Sequence, residues 1–159
     1  MKQSVISETQ VLFRERVLPG VSFFLVLQVI GPSVGVALWP VNPVLAVSCG
    51  IVAAMAATGL AFASSPIIEV RKTDQGSLLK VRGARLPLRF IQNAELIPSE
   101  RKPVERGPAL NANAFTVFQL GASDLVKVYL NDPNDPAPYW LFSSRKGEEL
   151  SRVLSAGKL

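Results

Sequence analysis

The hydrophobic pattern of the chain changes sharply near residue 68. The stretch from Val17 to Ile68 holds 52 residues without an Asp, Glu, Lys or Arg. A charge at the centre of a bilayer costs about 2.5–3.5 kcal/mol, so a long uncharged stretch is typical of membrane-spanning segments. Since one span needs about 20 residues, this stretch is long enough for two. We predict a transmembrane α-helical hairpin over residues 17–66, with spans at about 17–38 and 43–63.

Prolines and small residues in this stretch predict how the hairpin is built. Trp39, Pro40 and Pro43 interrupt it, and the prolines prevent one helix from running through the turn. Pro32 lies inside the first span and predicts a kink there. Small residues recur at a spacing of four, which lets two membrane helices approach closely. The predicted helix-packing residues are Gly31, Gly35, Ala46, Gly50, Ala54 and Thr58.

After the apolar stretch, apolar and polar residues alternate, which is typical of half-buried β-strands. A turn from Asp74 to Gly76 predicts that the first two strands form a hairpin. Pro87 predicts an edge strand, because proline cannot donate a hydrogen bond to a neighbouring strand. Leu150 and Leu154 have the spacing of one helical face, so the chain is predicted to end in a helix. The predicted strands are 67–73, 77–82, 85–90, 91–97, 115–120, 125–130 and 139–143.

These elements predict a membrane α-helical hairpin plus a small, mainly-β C-terminal domain. Six or seven short strands followed by one helix form a pleckstrin-homology-like plan, a sheet or barrel with one C-terminal helix, and other small antiparallel barrels stay open. The predicted domains are a polar N-terminal tail over residues 1–16, the hairpin over 17–66 and the β domain over 67–159. Residues 98–113 predict a mobile loop. Tyr139 and Trp140 should point to opposite faces of the last strand, one into the core and one at its rim.

The basic residues predict the orientation of the hairpin. Arg14 and Arg16 precede the first span, Arg71 and Lys72 follow the second, and the intervening loop carries no charge. Segments rich in Lys and Arg stay on the cytoplasmic side of a membrane. We therefore expect a multi-pass protein of the cell (inner) membrane with both termini in the cytoplasm.

Basic residues are concentrated just after the hairpin, with nine Lys or Arg against four Asp or Glu between residues 71 and 106. Near an anionic leaflet each gains about 1 kcal/mol, so the expected partners are the lipid bilayer and its anionic headgroups. A solvated strand face that follows the positive-inside rule would carry the same residues. Nucleic acid is not expected, because the aromatic residues occupy core-like alternate positions. The candidate lipid-contact residues are Arg71, Lys72, Arg82, Arg85 and Arg89.

The composition removes most catalytic chemistry. The chain has no His and one Cys, Cys49, so it can form neither an internal disulfide nor a Cys/His metal cluster. Asn131, Asp132, Asn134 and Asp135 offer oxygen ligands, but their spacing suits a turn better than a calcium loop. The sequence contains no phosphate-binding glycine loop and no nucleophile motif. We expect no enzyme activity, no cofactor and no metal ion.

Three motifs add a resemblance to this pattern. Arg14-Glu-Arg16 precedes the first span, residues 81–88 read VRGARLPL, and residues 132–141 read DPNDPAPYWL before the last helix. Together they resemble an uncharacterised actinobacterial family of small two-span membrane proteins with a pleckstrin-homology-like C-terminal domain. Gly147 stands where that family more often has proline.

The resemblance implies no catalytic residues. We therefore expect a non-catalytic interaction or scaffold module, anchored by the hairpin at the cytoplasmic face of the membrane. The alternative is a subunit that assembles through the hairpin, with an unknown protein partner or as a homo-oligomer, and for which the β domain is accessory.

Overall fold

The structure, a computed structural model, describes residues 10–74, 76–133 and 135–157. Predictions that fall on residues 1–9, Gln75, Asn134 and 158–159 lie outside these ranges. Two compact units make up the chain. The helical unit is Leu18–Ser65, and the β unit combines Met1–Val17 with Pro66–Leu159. The helical unit is therefore an insertion into the β unit, since chain on both sides of it belongs to the same fold.

The helical unit contains two apolar segments. Its helices are α1 Val21–Leu27, α2 Ile30–Leu38 and α3 Pro43–Ala63. The first segment is interrupted between α1 and α2, about one turn before Pro32. A proline ring clashes with the carbonyl group four residues earlier, which here belongs to Gln28, so the helix is interrupted at the turn where a kink was predicted. Asn42 caps α3 by accepting hydrogen bonds from the Val44 and Leu45 N–H groups, and Pro43 occupies its first turn.

Both segments are long and apolar enough to cross a membrane. Val21–Leu38 and Pro43–Ala63 have mean hydropathies of 2.0 and 2.1. Only 6% and 11% of their most apolar windows is buried within the structure, so these side chains do not form the core of a folded unit. The second segment has the predicted bounds. The first begins at Val21 instead of residue 17, because Pro19 and Gly20 precede the helix.

The first sheet of the β unit is an antiparallel meander in the order β1-β2-β3-β4. Its strands are β1 Gln10–Arg16, β2 Ile67–Thr73, β3 Gly76–Val81 and β4 Ala84–Pro87. The predicted hairpin of β2 and β3 is confirmed, and Pro87 lies on the edge strand as predicted. Residues 10–16 are not part of a polar tail, because they form β1 and pair with β2. Phe13 and Glu15 are buried there, while the other residues of β1 are exposed. The sequence of the strand therefore looks polar when its partner strand is not known.

The second sheet has the order β5-β7-β8-β6. Its strands are β5 Ile91–Ile97, β6 Phe115–Val117, β7 Asp124–Leu130 and β8 Tyr139–Ser144. Strand β7 pairs antiparallel with both β5 and β8, and the short β6 pairs parallel with β8 at one edge. The strand predicted over 85–90 ends at Pro87, because a 3₁₀ turn at Leu88–Phe90 separates β4 from β5. The predicted C-terminal helix is α5 Gly147–Ala156.

The main core contains the inward side chains of both sheets together with the apolar face of α5. It includes Phe13, Val70, Leu79, Val126, Trp140, Phe142, Leu150 and Leu154. A second, smaller cluster contains Ile97, Leu125, Tyr139 and Leu141.

Tyr139 and Trp140 lie in different clusters, and both are buried. The prediction that one of them lies at the rim is therefore wrong. Segment 98–113 accounts for the difference, because Leu110 packs on the second cluster and the Asn111 N–H donates to the Tyr139 hydroxyl at 2.8 Å. This segment was expected to be a mobile loop. Instead it contains helix α4, Lys102–Arg106, and packs on the second sheet.

Candidate lipid-contact surface

The predicted helix-packing residues lie where α3 contacts the preceding helix. A Cβ atom added to Gly31 would lie 2.8 Å from the Gly50 carbonyl oxygen and 3.0 Å from the Ala54 Cβ. One added to Gly50 would lie 2.8 Å from the Gly31 carbonyl oxygen. Ala46 is fully buried, and its carbonyl oxygen lies 3.5 Å from the corresponding position on Gly35. The two backbones are thus so close that only glycine fits at the crossing.

A polar link accompanies the sixth predicted residue, Thr58. Its hydroxyl donates to the Ala54 carbonyl oxygen at 2.8 Å and accepts a hydrogen bond from the Gln28 side-chain amide at 3.1 Å. Such links between apolar helices contribute about 0.6 kcal/mol on average. Gln28 was not predicted to take part in helix packing, although one glutamine inside a long apolar segment indicates that its side chain needs a polar partner.

The β unit has two ends, which the direction of its strands defines. At the end that we call the junction end, the chain leaves β1 through Val17 and returns through Pro66, and the Val17 N–H donates to the Pro66 carbonyl oxygen at 2.9 Å. At the opposite end, which we call the far end, the turn between β2 and β3 lies beside the C-terminus of α5.

The five predicted lipid-contact residues do not form one cluster. Arg82 lies at the junction end, where its N–H donates to the Ile67 carbonyl oxygen at 2.9 Å. Lys72 lies five residues further along β2, about 17 Å away at the rise of a β-strand. Charges screen one another beyond about 8 Å at physiological ionic strength, so Arg82 and Lys72 act independently. Lys72 and Arg89 share the far end.

The remaining two, Arg71 and Arg85, belong to the outer face of the first sheet. Strand register aligns Arg14, Glu69, Lys80 and Arg85 in one row across all four strands. Arg71 pairs with the buried Glu69 carboxylate at 2.9 Å. Three of the four charges in this row are positive, and opposite charges side by side on one face stabilise a sheet. The sequence analysis missed Arg14 and Lys80 as members because only the strand register places them there.

A half-open cavity of about 800 Å³ lies at the far end. Among the described residues that line it, Lys72 and Arg89 are charged, and the apolar lining includes Leu12, Leu88 and Val153. The far end lies opposite the strand ends that continue into the helical unit. The cavity therefore does not belong to the single membrane-facing surface that the five candidate lipid-contact residues were expected to form.

The β unit contains a buried ion network under α4. The Glu105 carboxylate accepts hydrogen bonds from Lys127 Nζ at 2.8 Å and from the Arg101 guanidinium at 2.7 Å. Arg101 also pairs with Glu95 at 3.0 Å. Lys127 Nζ lies 4.2 Å from the centre of the Tyr139 ring, which allows a cation–π contact. The network therefore binds α4 to the outer face of the second sheet.

The pKa shifts in this network favour the charged forms of Glu105 and Lys127. The hydrogen bond from Lys127 lowers the pKa of Glu105 below its ordinary value, more than burial raises it. Burial alone would lower the pKa of Lys127, but its hydrogen bond to Glu105 and the nearby Tyr129 raise it above its ordinary value. A lysine held protonated in this way is no nucleophile or base at neutral pH. The network suits a structural role, which the sequence analysis missed.

The acidic turn that follows β7 is held by hydrogen bonds that its backbone N–H groups donate. The Asn131 N–H donates to the Phe90 carbonyl oxygen at 2.8 Å, and Asp135 Oδ1 accepts from the Ala137 N–H at 2.9 Å. Within the described residues, no three His, Cys, Asp or Glu side chains are grouped as a metal ion would require.

Comparison with known proteins identifies one family. The model of a family described as a protein of unknown function (DUF3093) matches residues 12–154. The matched range includes the whole helical unit and nearly all of the described β unit. No curated protein and no solved structure matches the chain.

Proposed function

We propose that the chain, which belongs to the DUF3093 family of proteins of unknown function, is an integral membrane protein that presents its β unit at the cytoplasmic face as a non-catalytic interaction module. The observation that carries this proposal is the insertion of two long, uncharged helical segments between strands β1 and β2. The pleckstrin-homology-like type and the actinobacterial source implied by the resemblance stay expectations.

Exposed apolar side chains support membrane insertion of the helical unit. Val21, Val36 and Val44 are each about three-quarters exposed, and many of their neighbours are similar. Apolar surface in water costs about 25 cal/mol per Å², so an uncovered hairpin of this kind would be unfavourable in the cytosol. A bilayer covers such a surface and has no preference for one apolar side chain over another.

The charges flanking the hairpin support the proposed orientation. Arg14, Arg16, Arg71 and Lys72 belong to β1 and β2, so all four lie in the same folded unit. The loop between α2 and α3 has no charge. A folded unit that contains both flanks must lie on one side of the membrane, and the positive-inside rule makes that side the cytoplasm.

The state of the titratable groups supports a role without catalysis. Among the described residues, the groups whose pKa departs clearly from its ordinary value are Arg101, Glu105 and Lys127. All three are engaged with one another in the network under α4. Perturbed groups in an active site face a cleft and a substrate, whereas these three hold a helix to a sheet.

The architecture of the β unit supports the proposed pleckstrin-homology-like fold. Two sheets and a C-terminal helix packed on their core agree with a pleckstrin-homology-like plan. The parallel pairing of β6 with β8 is an addition to a simple antiparallel plan.

Assembly through the hairpin is the second candidate. This candidate was suggested by the series of small residues in the two spans. These residues already pack against each other within the chain, because Gly31 and Gly50 are in contact. A protein partner or a second copy would need another helix face. The structure therefore favours the interaction module over the assembly subunit.

Topology reporters test this proposal. Alkaline phosphatase, which is active only in the periplasm, should be active when fused at Asn42 and inactive when fused after Leu159. A cytoplasmic fluorescent reporter should give the opposite result. The full chain should also resist extraction by alkaline carbonate. Equal phosphatase activity at both sites, or release of the chain by carbonate, would refute the proposed membrane hairpin.

A further inference from the structure

The cavity at the far end of the β unit, which we call the far-end cavity, has an apolar floor. Leu88 and Ile91 form this floor, and both are buried members of the main core. Val153 and Ala156 in the last turns of α5 line one side. A Cβ atom added to Gly157 would lie 2.7 Å from Leu88 Cδ2, so the end of α5 packs closely on the floor. A volume of about 800 Å³ lies within the range of small-molecule sites in proteins.

The two cations that line this cavity have no carboxylate partner among the described residues. None of the ion pairs in the described ranges includes Lys72 or Arg89. Asp74 is close to Lys72 in sequence, but it is exposed and does not line the cavity. The Arg89 guanidinium lies 4.8 Å from the centre of the Phe90 ring, and this cation–π contact leaves its N–H groups able to donate to an anion. The cavity therefore presents two positive charges beside an apolar floor.

A β-bulge decides which side chains of β1 line the far-end cavity. The register of β1 with β2 shifts between Val11 and Phe13, so Leu12 is an extra residue in the strand. In a regular strand, Val11 would share the inward face of Phe13. Beyond the bulge it is instead Gln10 that lies opposite Lys72, and both Gln10 and Leu12 line the cavity. Bulges redirect side chains in this way beside functional sites, and this one adds a polar and an apolar contact for a ligand.

We propose that the far-end cavity binds a medium-chain carboxylate, the anion of a fatty acid. The carboxylate group contacts Lys72 and Arg89, and the acyl chain covers the apolar floor. Every lining residue named here belongs to the β unit, so binding requires neither the helical unit nor a bilayer. The site adds small-molecule binding to the interaction role proposed above and does not rest on it.

The chemistry of the lining selects this class of ligand. Inorganic phosphate or another fully polar anion would leave the apolar floor in contact with water, whereas a neutral hydrocarbon would leave both cations without a counter-ion. The planar guanidinium of Arg89 can donate to both oxygens of a carboxylate, and the Lys72 ammonium adds another charge-assisted hydrogen bond. The Gln10 amide and the Ser77 hydroxyl supply further donors in the same cavity.

The apolar floor predicts that affinity depends on the length of the acyl chain. Burial of each additional methylene group should tighten binding up to about fourfold. Octanoate should therefore bind roughly fifteenfold more tightly than hexanoate, which is two methylene groups shorter, and acetate, which has no methylene group, should not bind measurably. Octanol has the same chain length as octanoate but no charge, so it should bind at least about tenfold more weakly.

Isothermal titration calorimetry of the full chain in phosphatidylcholine nanodiscs measures these affinities. Empty nanodiscs are titrated in parallel, so that partition of each ligand into lipid is subtracted. The charge variant is Lys72→Gln with Arg89→Gln. The matched control is Lys80→Gln with Arg85→Gln, which removes the same charge from the outer face of the first sheet, where these two residues pair between β3 and β4. A third variant, Ala156→Phe, changes no charge and fills space beside the floor.

We expect the charge variant to bind octanoate roughly tenfold more weakly than the wild type, while the matched control keeps the wild-type affinity. Ala156→Phe should also weaken octanoate binding and reduce the difference between octanoate and hexanoate. No binding of octanoate to the wild type, equal affinities for octanol and octanoate, or equal effects of the two charge changes would refute the proposed site. None of these results alters the proposed membrane topology, which the reporter fusions test separately.

Discussion

Replacement of Glu105 by glutamine tests whether the buried ion network holds segment 98–113 in place. The Glu105 carboxylate pairs with two cations, Arg101 and Lys127. Of these two, Lys127 is the buried one, and its Nζ lies 2.8 Å from the carboxylate. The side chains of this pair are only 6% and 10% exposed. Glutamine keeps the size and one acceptor oxygen but removes the charge, so Lys127 would be left buried without a counter-ion.

The expected loss follows from the surroundings of Lys127. Removal of one partner from a buried ion pair costs about 3–5 kcal/mol. The Tyr139 ring stays in place 4.2 Å from Lys127 Nζ and stabilises the cation in the variant, so we expect the lower end, about 3 kcal/mol. Since each 1.4 kcal/mol is tenfold in an equilibrium constant, the opened form of segment 98–113 should become roughly a hundredfold more populated.

Hydrogen–deuterium exchange of the full chain in detergent measures this opening. Protection in segment 98–113 should fall by about two orders of magnitude in Glu105→Gln. The matched control is Glu149→Gln, which breaks the exposed Lys146–Glu149 pair at 3.4 Å. An exposed pair contributes at most about 1 kcal/mol, so this variant should differ little from the wild type. Similar exchange of segment 98–113 in all three proteins would show that the network does not hold it.

The pH dependence gives an independent check of sign. The pKa of Glu105 is held below its ordinary value of 4.5, so the pair stabilises the fold fully above that pH and loses its contribution as pH falls through the lower, folded-state pKa. The pKa of Lys127 is raised above its ordinary value of 10.5, so its contribution is lost only as pH rises above that value. The decrease in melting temperature that protonation of Glu105 causes at acid pH should be absent from Glu105→Gln.

Two further substitutions test the helix crossing and the buried carboxylate of β1. Gly50→Leu should destabilise the helical unit by about 1–3 kcal/mol or more, because even its Cβ would lie 2.8 Å from the Gly31 carbonyl oxygen. The control is Val52→Leu at an exposed position, which should have little effect on thermal unfolding in detergent. Equal losses would show that the crossing is not a packing interface. Glu15→Ala should lower the free energy of unfolding of the β unit by about 2–3 kcal/mol, because two charge-assisted hydrogen bonds are lost. Arg14→Ala is the control at the exposed neighbouring position, and the near-ultraviolet signal of the aromatic core reports unfolding. Unfolding curves of both variants that match the wild type would contradict this prediction.

Elements whose signal is local were predictable from the sequence. The two apolar segments follow from the absence of charge over residues 17–68, since burial in lipid acts on each residue by itself. The hairpin of β2 and β3 follows from alternation and from a turn between adjacent strands. The helix crossing at Gly31 and Gly50 follows from spacing within two helices that a short loop makes neighbours.

The features that the sequence analysis missed depend on partners far away in the chain. Strand β1 exists because β2 accepts its hydrogen bonds across the inserted helical unit, and no local pattern in residues 10–16 reveals that partner. Tyr139 is buried because segment 98–113 covers it, and Lys127 is buried because Glu105 neutralises it there. The predicted basic cluster was divided for the same reason, since proximity in sequence is not proximity in a sheet.

Hydropathy alone therefore determined that this protein has two segments apolar enough to enter a membrane, because each charged residue adds its own free-energy cost in lipid. The tertiary structure decided which end of the β unit joins these segments and which side chains lie there. The hydrogen bonds of Glu15 place Ser144 and Arg145 at that end, across more than a hundred residues of chain. Such placement is a property of pairing between distant segments, and it exists only once they have folded together.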